Sequence, residues 1–287
     1  MSLDNFIPTV WGARLLYALQ HNLVAAQPSV INRDYEGDIA QRGDTVKING
    51  IGDVTVFDYT KNTDMPAPQA LSDAQTELRI SEQKAFNFAV DDVDRAQQVP
   101  KVMDAAMTRA AYALRNIADQ FVLGHYTDIS AGNFIGTDAG PKTDLGTAGK
   151  AYEYLVDLGS LLTDNDVPLE GRWAIVPPWF QGALLKDDRF VRSFLPEVSR
   201  QALLNGQVGE AAGFAILVSQ NVPSTTSTTS FKITAGHPIA WTYAEQINAV
   251  EGYRPPLRFA DAVKGLHLYG ARVTRASALA VLFANRA

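Results

Sequence analysis

Asp91, Asp92 and Asp94 crowd together just ahead of a long apolar-periodic stretch, and three carboxylates so close could hold a hard cation through oxygen ligands. Their place before a helix start gives them a simpler task, because negative charge there favours the positive end of the helix dipole. The simpler task is preferred. Four histidines, His21, His125, His237 and His267, are scattered, and none stands at the i, i+4 spacing of a helical zinc pair. They read as surface or core residues. The chain has no cysteine, hence no disulfide, thiolate metal site or cysteine nucleophile. Gly146 to Lys150 approaches a phosphate loop, but Asp144 stands where its first glycine belongs and Ala151 replaces the magnesium-binding Ser/Thr. Gly50-Ile51-Gly52 lacks the third glycine of a dinucleotide fingerprint, and no G-x-S-x-G elbow occurs. No catalytic set, cofactor site or metal site is expected.

What remains is a set of elements with no reaction centre to position. From Pro100 to Leu123 the sequence reads PKVMDAAMTRAAYALRNIADQFVL, in which Met103, Met107, Ala110, Leu114, Ile117 and Phe121 recur at steps of four and three. That spacing lines one face of an α-helix. Pro100 suits the first turn and Gly124 a left-handed C-terminal position. At ~1.5 Å per residue the rod is about 36 Å long, a spine for whatever packs on it. Ala105, Ala106, Ala111, Ala113 and Ala118 allow close approach, while Lys101, Asp104, Arg109, Arg115 and Asp119 are expected to face water.

A chain of 287 residues, 46% hydrophobic and 20% charged, has the balance of a soluble globular protein and the length to bury a sizeable core. Its formal net charge of −6 argues against a protein whose main task is gripping nucleic-acid phosphates. A container for nucleic acid stays open, since a lining that bound its contents tightly would hinder release. The longest apolar run, Ala278 to Ala284, is far short of the roughly 20 residues that cross a bilayer. MSLDNFIPTVWGARLL lacks the basic start and apolar core of a secretion signal. No membrane partner is expected.

In chain order, Pro8 to Leu23 reads as an amphipathic helix with Trp11, Leu15, Leu19 and Leu23 at steps of four. Val46 and Ile48 alternate as in a half-buried strand, and Asn49-Gly50 is the commonest hairpin turn. Ile51 to Thr60 and Thr76 to Val90 then read as two arms of a long hairpin with polar residues on both faces. Its tip, KNTDMPAPQALSD, carries Pro66 and Pro68 and stands away from the body. A lone hairpin is marginal in water, so a neighbouring subunit is expected to hold it. Trp11, Tyr59 and Met65 accordingly read as subunit contacts, not a ligand box. A second body starts near Gly146. It has helices at Ala151 to Leu162, Trp179 to Leu185 and Pro196 to Leu204, and strands at Trp173 to Val176, Ala215 to Ser219, Ile239 to Ala244, Gly265 to Thr274 and Leu279 to Phe283. Ser224 to Ser230 is a loop between strands. The irregular alternation indicates an α+β fold.

The order of parts, and the stretches VINRDYEGDIAQRGDTVKI, LRISEQKAFNFAVDDVDRAQ, RWAIVPPWFQGALLKDDRFV, VGEAAGFAILVSQNVP and VKGLHLYGARVTRASALAVLF, resemble tailed-phage major capsid proteins of the Hong Kong 97-like fold, particularly those of phages with actinobacterial hosts. The resemblance implies an N-arm at residues 1–38, an extended E-loop at 39–92, a P-domain with the spine helix at 93–145 and an A-domain at 146–247. Residues 248–287 would return to the P-domain and close the A-domain sheet. It further implies a non-enzymatic virion protein, made in the host bacterial cytoplasm, that assembles as hexamers and pentamers into an icosahedral shell around double-stranded DNA without sequence-specific binding. Implied partners are a portal, a decoration protein and, because the arm starts almost at Met1, a separate scaffolding protein. Trp11, Leu15, Leu19, Tyr59, Lys61, Met65, Pro66 and Pro68 would be subunit contacts. Some coats of this kind join an E-loop lysine to an asparagine at the start of the long P-domain strand. Lys61 could play the first part, but RFADAVKGL (258–266) holds no asparagine and Asn248 lies upstream. The alternatives are an encapsulin-type nanocompartment shell of the same fold and a soluble α+β enzyme or binding protein.

Overall fold

The computed structural model describes residues 24–35, 45–51, 56–59, 61, 64, 67, 73–91, 102–147, 149–187, 209–225, 229–257 and 259–286. Their strands are β1 (Thr45–Ile51), β2 (Asp73–Arg79), β3 (Glu82–Asp91), β4 (Phe134–Ile135), β5 (Trp173–Val176), β6 (Glu210–Ala211), β7 (Phe214–Val218), β8 (Ser224–Thr225), β9 (Ser230–Gly236), β10 (Trp241–Tyr253), β11 (Ala260–Val273) and β12 (Leu279–Asn285). The helices are α1 (Val102–Gly124), α2 (Lys150–Asp164) and α3 (Pro178–Leu185).

Continuous apolar runs need cover on both faces. WAIV of β5 and LAVLFAN of β12 lie inside a sheet ordered β4-β12-β9-β5-β7-β6, with β8 paired to β9. α2 covers it with Ala151, Leu155, Leu158 and Leu162. Val156, expected on that face, is exposed, because Leu158 continues the stripe from Leu155 and leaves Val156 about 100° round the helix. α3 starts at Pro178, where a missing N–H costs nothing.

The second sheet is β10-β11-β3. β10 and β11 make a long antiparallel hairpin, and β3 pairs along β11 from Ala260↔Asp91 to Tyr269↔Glu82. Its two faces do different work. Phe86, Phe88, Val250 and Val263 pack with Met107 and Ala111 of α1, whereas Ala244 and Leu268 pack with Leu78 and Ile80 at the base of the β1–β2 ladder. The stack of Trp173 on Trp241, with centroids 5.2 Å apart and 7° between planes, ties the two sheets together.

The spine is present but rotated from expectation. Its buried apolar residues are Met107, Ala111, Leu114, Ala118, Val122 and Leu123, while Ile117 is 39% exposed and Ala110 and Phe121 are half-buried. The face that meets the sheet carries Met107 and Ala111 against Phe86 and Phe88, whereas Ala113 is exposed. Met103 lies outside the described side chains. Asp119, expected in water, is fully buried. Gly124 has φ −63°, an ordinary helical value, and the chain runs straight on into a 3-10 turn at His125–Asp128, so no left-handed cap forms.

The hairpin differs too. Asn49-Gly50 is no turn: both residues are in β1, opposite Gln75 and Ala74. The expected second arm divides at Ile80-Ser81, β2 pairing with β1 and β3 with β11. Residues 56–59 are not strand. At the division the backbone passes directly over β11, and a Cβ on Gly270 would stand 2.4 Å from the Arg79 carbonyl oxygen. Gly270→Ala therefore forces the β2–β3 junction outward and should cost about 2 kcal/mol, as overpacking does. Urea denaturation measures this; an unchanged midpoint would mean that the junction yields freely.

Candidate functional site

Two arrangements stand out, one buried and one exposed. The buried one bolts residues 24–33 to the body. Asp119 of α1 accepts from the backbone N–H groups of Val24 (3.2 Å), Ala25 (3.0 Å) and Ala26 (3.4 Å). Burial pushes its carboxyl pKa up, and these N–H groups and Arg115 pull the other way. Further along, Trp241 Nε1 donates to the Val30 carbonyl at 2.8 Å, and Asn32 exchanges backbone bonds with Trp241 and Tyr243. Arg33 then donates to Glu245, whose side chain is 7% exposed.

Glu245 also receives the Tyr243 hydroxyl at 2.8 Å and faces His267 Nε2 at 3.2 Å. Burial alone would raise its pKa, but His267, Arg33 and Tyr243 outweigh burial and hold the carboxyl below the ordinary glutamate range. Burial pushes the Tyr243 hydroxyl well up, so it stays a donor. An acid, a base and a phenol in contact resemble catalytic parts, yet both Glu245 oxygens are engaged and His267 is buried. The arrangement clamps. The sequence signal for it was a charge at Glu245 on the same strand face as Trp241 and Tyr243, at period two.

The exposed arrangement consists of two projecting ends. Beyond the β1–β2 ladder, Val56 is 91% and Tyr59 70% exposed, with Phe57 exposed beside them. At the β10–β11 turn, Leu257 is 95% and Phe259 83% exposed. Apolar side chains grouped on a projection mark contact surfaces. Of the expected contact residues, Tyr59 and Lys61 are described and exposed. Trp11, Leu15, Leu19, Met65, Pro66 and Pro68 lie outside the described residues, as do the expected helices at Pro8 to Leu23 and Pro196 to Leu204. Asp91 sits at the end of β3 opposite Ala260, and Asp92 and Asp94 are not described. Among the described residues no three His, Cys, Asp or Glu are placed to hold a metal ion, and no helix is long and apolar enough to cross a membrane.

A family model described as phage capsid protein matches residues 73–282. The chain belongs to the phage capsid protein family. Among solved structures, a protein of Mycobacterium phage Che8 is 26% identical, with TM-score 0.64, over 98% of this chain and 94% of that one. A capsid structure of cyanophage P-SCSP1u is 17% identical with TM-score 0.69, over 90% and 86%. The SrpI encapsulin complex from Synechococcus elongatus, 13% identical with TM-score 0.52 over 85% and 83%, shares the fold. Curated protein sequences yield no match. The α+β chain is thus a Hong Kong 97-like major capsid protein, a non-enzymatic component of the icosahedral shell of the virion. The enzyme alternative is set aside.

In this capsid protein, loops 165–171 and 237–240 meet through His237, whose Nδ1 accepts the Ile239 N–H at 3.2 Å. That bond needs the neutral ring. Burial lowers the His237 pKa from 6.5; a bond to the Glu170 backbone opposes this, and Arg172 and Arg275 reinforce it. With the folded pKa below the unfolded one, the contribution is complete above about 6.5 and is lost as pH falls through the folded value. Melting temperature should therefore drop between pH 7 and pH 5 by a few degrees more in the wild type than in His237→Gln. Parallel curves would remove His237 from the account.

Proposed function

We propose that the protein assembles as hexamers and pentamers around double-stranded phage DNA, with the leading part of the N-arm (1–38) and the tip of the E-loop (39–92) lying across neighbouring copies. Residues 93–145 and 248–287 form the P-domain around the spine and the strand that closes the A-domain sheet, and residues 146–247 form the A-domain that meets its copies around the capsomer axis. Heterologous contacts of this kind close into rings and shells. The observation that carries this reading is the exposed loop beyond a ladder whose base is anchored by Leu78 and Ile80. Such a loop stabilises something other than its own core. Val56, Phe57, Tyr59, Lys61, Met65, Pro66 and Pro68 would touch the next copy, and Trp11, Leu15 and Leu19 would cover another. Separate scaffolding and portal proteins complete the partner set.

Charge supports the same contact. Residues 52–73 hold Asp53, Asp58, Asp64 and Asp73 against Lys61, whereas the β10–β11 turn carries Arg258 and Arg254, the latter paired with Asp261 at 3.3 Å. Opposite charge steers the apolar ends of neighbouring copies together. Electron microscopy of the recombinant protein, with analysis of particle contents, tests the reading. Closed shells of hexamers and pentamers, and nuclease-protected DNA in virions, are expected. A protein cargo in place of DNA would make it an encapsulin-type shell, and a stable monomer would end the proposal.

The shell should be held by non-covalent contacts. Lys61 has no partner asparagine in 258–266, so boiled particles should give one monomer band on a denaturing gel. A ladder of covalent oligomers would show that the amide comes from elsewhere.

A further inference from the structure

The outer face of α1 takes no part in the core. Arg109, Tyr112 and Gln120 are exposed and Asn116 half-buried along one stripe, spaced three to four residues apart, with Arg115 at its flank. The Arg115 guanidinium lies 4.3 Å over the Tyr112 ring. A guanidinium stacked on a ring is held in one orientation. The Arg115 Nε is buried, so any outside contact falls to the terminal nitrogens. Asn221 fixes the amides beside it, receiving from Gln120 at 3.3 Å and donating to Asn116 Oδ1 at 3.2 Å. Asp119, one turn from Arg115, is buried and gives its carboxylate to the backbone N–H groups of Val24, Ala25 and Ala26, while its charge also acts on Arg115.

Planar cations, a phenol and oriented amides are groups that bind phosphate and sugar oxygens. Six residues separate the two arginines, about 9 Å along the helix, the axial span of two to three phosphates on one strand. We propose that this stripe contacts backbone phosphates of the enclosed duplex; the assignment rests on the reading of the shell as a DNA container. The contact is sequence-independent and weak per copy. With a net charge of −6, the rest of the chain repels DNA, so the stripe sets which face turns towards it. Repetition over the lattice supplies the holding, and each contact remains easy to exchange.

Fluorescence anisotropy of the full-length, unassembled protein with a labelled duplex of about 30 base pairs, from about 25 to about 200 mM salt, tests it. Arg109→Gln/Arg115→Gln should weaken binding at low salt about tenfold and flatten the plot of log K against log salt by about 1.8, two contacts at ~0.9 each. Tyr112→Leu, which leaves the charge in place, should weaken binding a few-fold. Arg272→Gln/Arg286→Gln removes the same charge from exposed positions elsewhere and should change the slope little. Equal losses in the two double variants, or an unchanged slope in the first, would overturn the site. Particles that lack DNA, together with the expected slope change, would end the container reading and leave the phosphate site standing. DNA-filled particles with an unchanged slope would end the site alone.

Discussion

Replacing residues 56–70 by a short Gly-Ser turn should give a folded protein that builds no shells. The β1–β2 ladder runs from Thr45↔Arg79 to Ile51↔Asp73, so the excision begins beyond its last pair. The described residues within it, 56–59, 61, 64 and 67, are all exposed. Removing exposed residues changes monomer stability by only about 0.5 kcal/mol. On the proposed reading the shell covers these side chains, and covering a Val, Phe or Tyr contributes roughly 1.5–3 kcal/mol apiece. Every copy loses that contribution at once, so a lattice built from many weak contacts falls below its assembly threshold. Thermal unfolding and negative-stain microscopy read the two halves separately. Normal particles from the shortened chain would show that the loop is not a contact.

The second large effect is on folding. Asp119→Ala leaves the N–H groups of Val24, Ala25 and Ala26 without their acceptor in a buried place. An unsatisfied buried donor costs about 1–3 kcal/mol, so three come to roughly 3–9 kcal/mol, a large share of the about 5–15 kcal/mol that holds a typical domain. The segment has a way out, since residues 24–33 can undock at the expense of the Trp241–Val30 bond and the Arg33–Glu245 pair. The expected result is therefore a loss of about 4 kcal/mol, capped by undocking, with new proteolytic cleavage near residues 24–33. Asp119→Asn should cost less, because the amide oxygen still accepts. Chemical denaturation and mass analysis of limited digests check both. A loss below about 1 kcal/mol with an unchanged digest would mean that water replaces the carboxylate.

Much of this was legible in the residues. The four- and three-residue steps from Met107 to Leu114, the apolar runs WAIV and LAVLF, and the failed phosphate-loop and dinucleotide matches are local patterns, and local patterns survive folding. They determine a long helix, buried strands and the lack of a recognisable catalytic motif. Quoted stretches that resemble coat proteins pointed to the family for the same reason, since they cover most of the chain. Partner choice was not legible. Thr76 to Val90 alternates without interruption, and nothing in period two says that the strand leaves Ile48 for Leu268 at Ile80; Leu78 and Ile80 decide it by packing on a sheet formed nearly 200 residues later. Asn49-Gly50 carries a turn signal worth little against seven ladder pairs. Asp119 shows the limit most clearly. On a helix wheel it belongs with the water-facing acids, and only the tertiary structure brings it three backbone N–H groups from 93 to 95 residues away, whose desolvated donors make a buried carboxylate the stable choice.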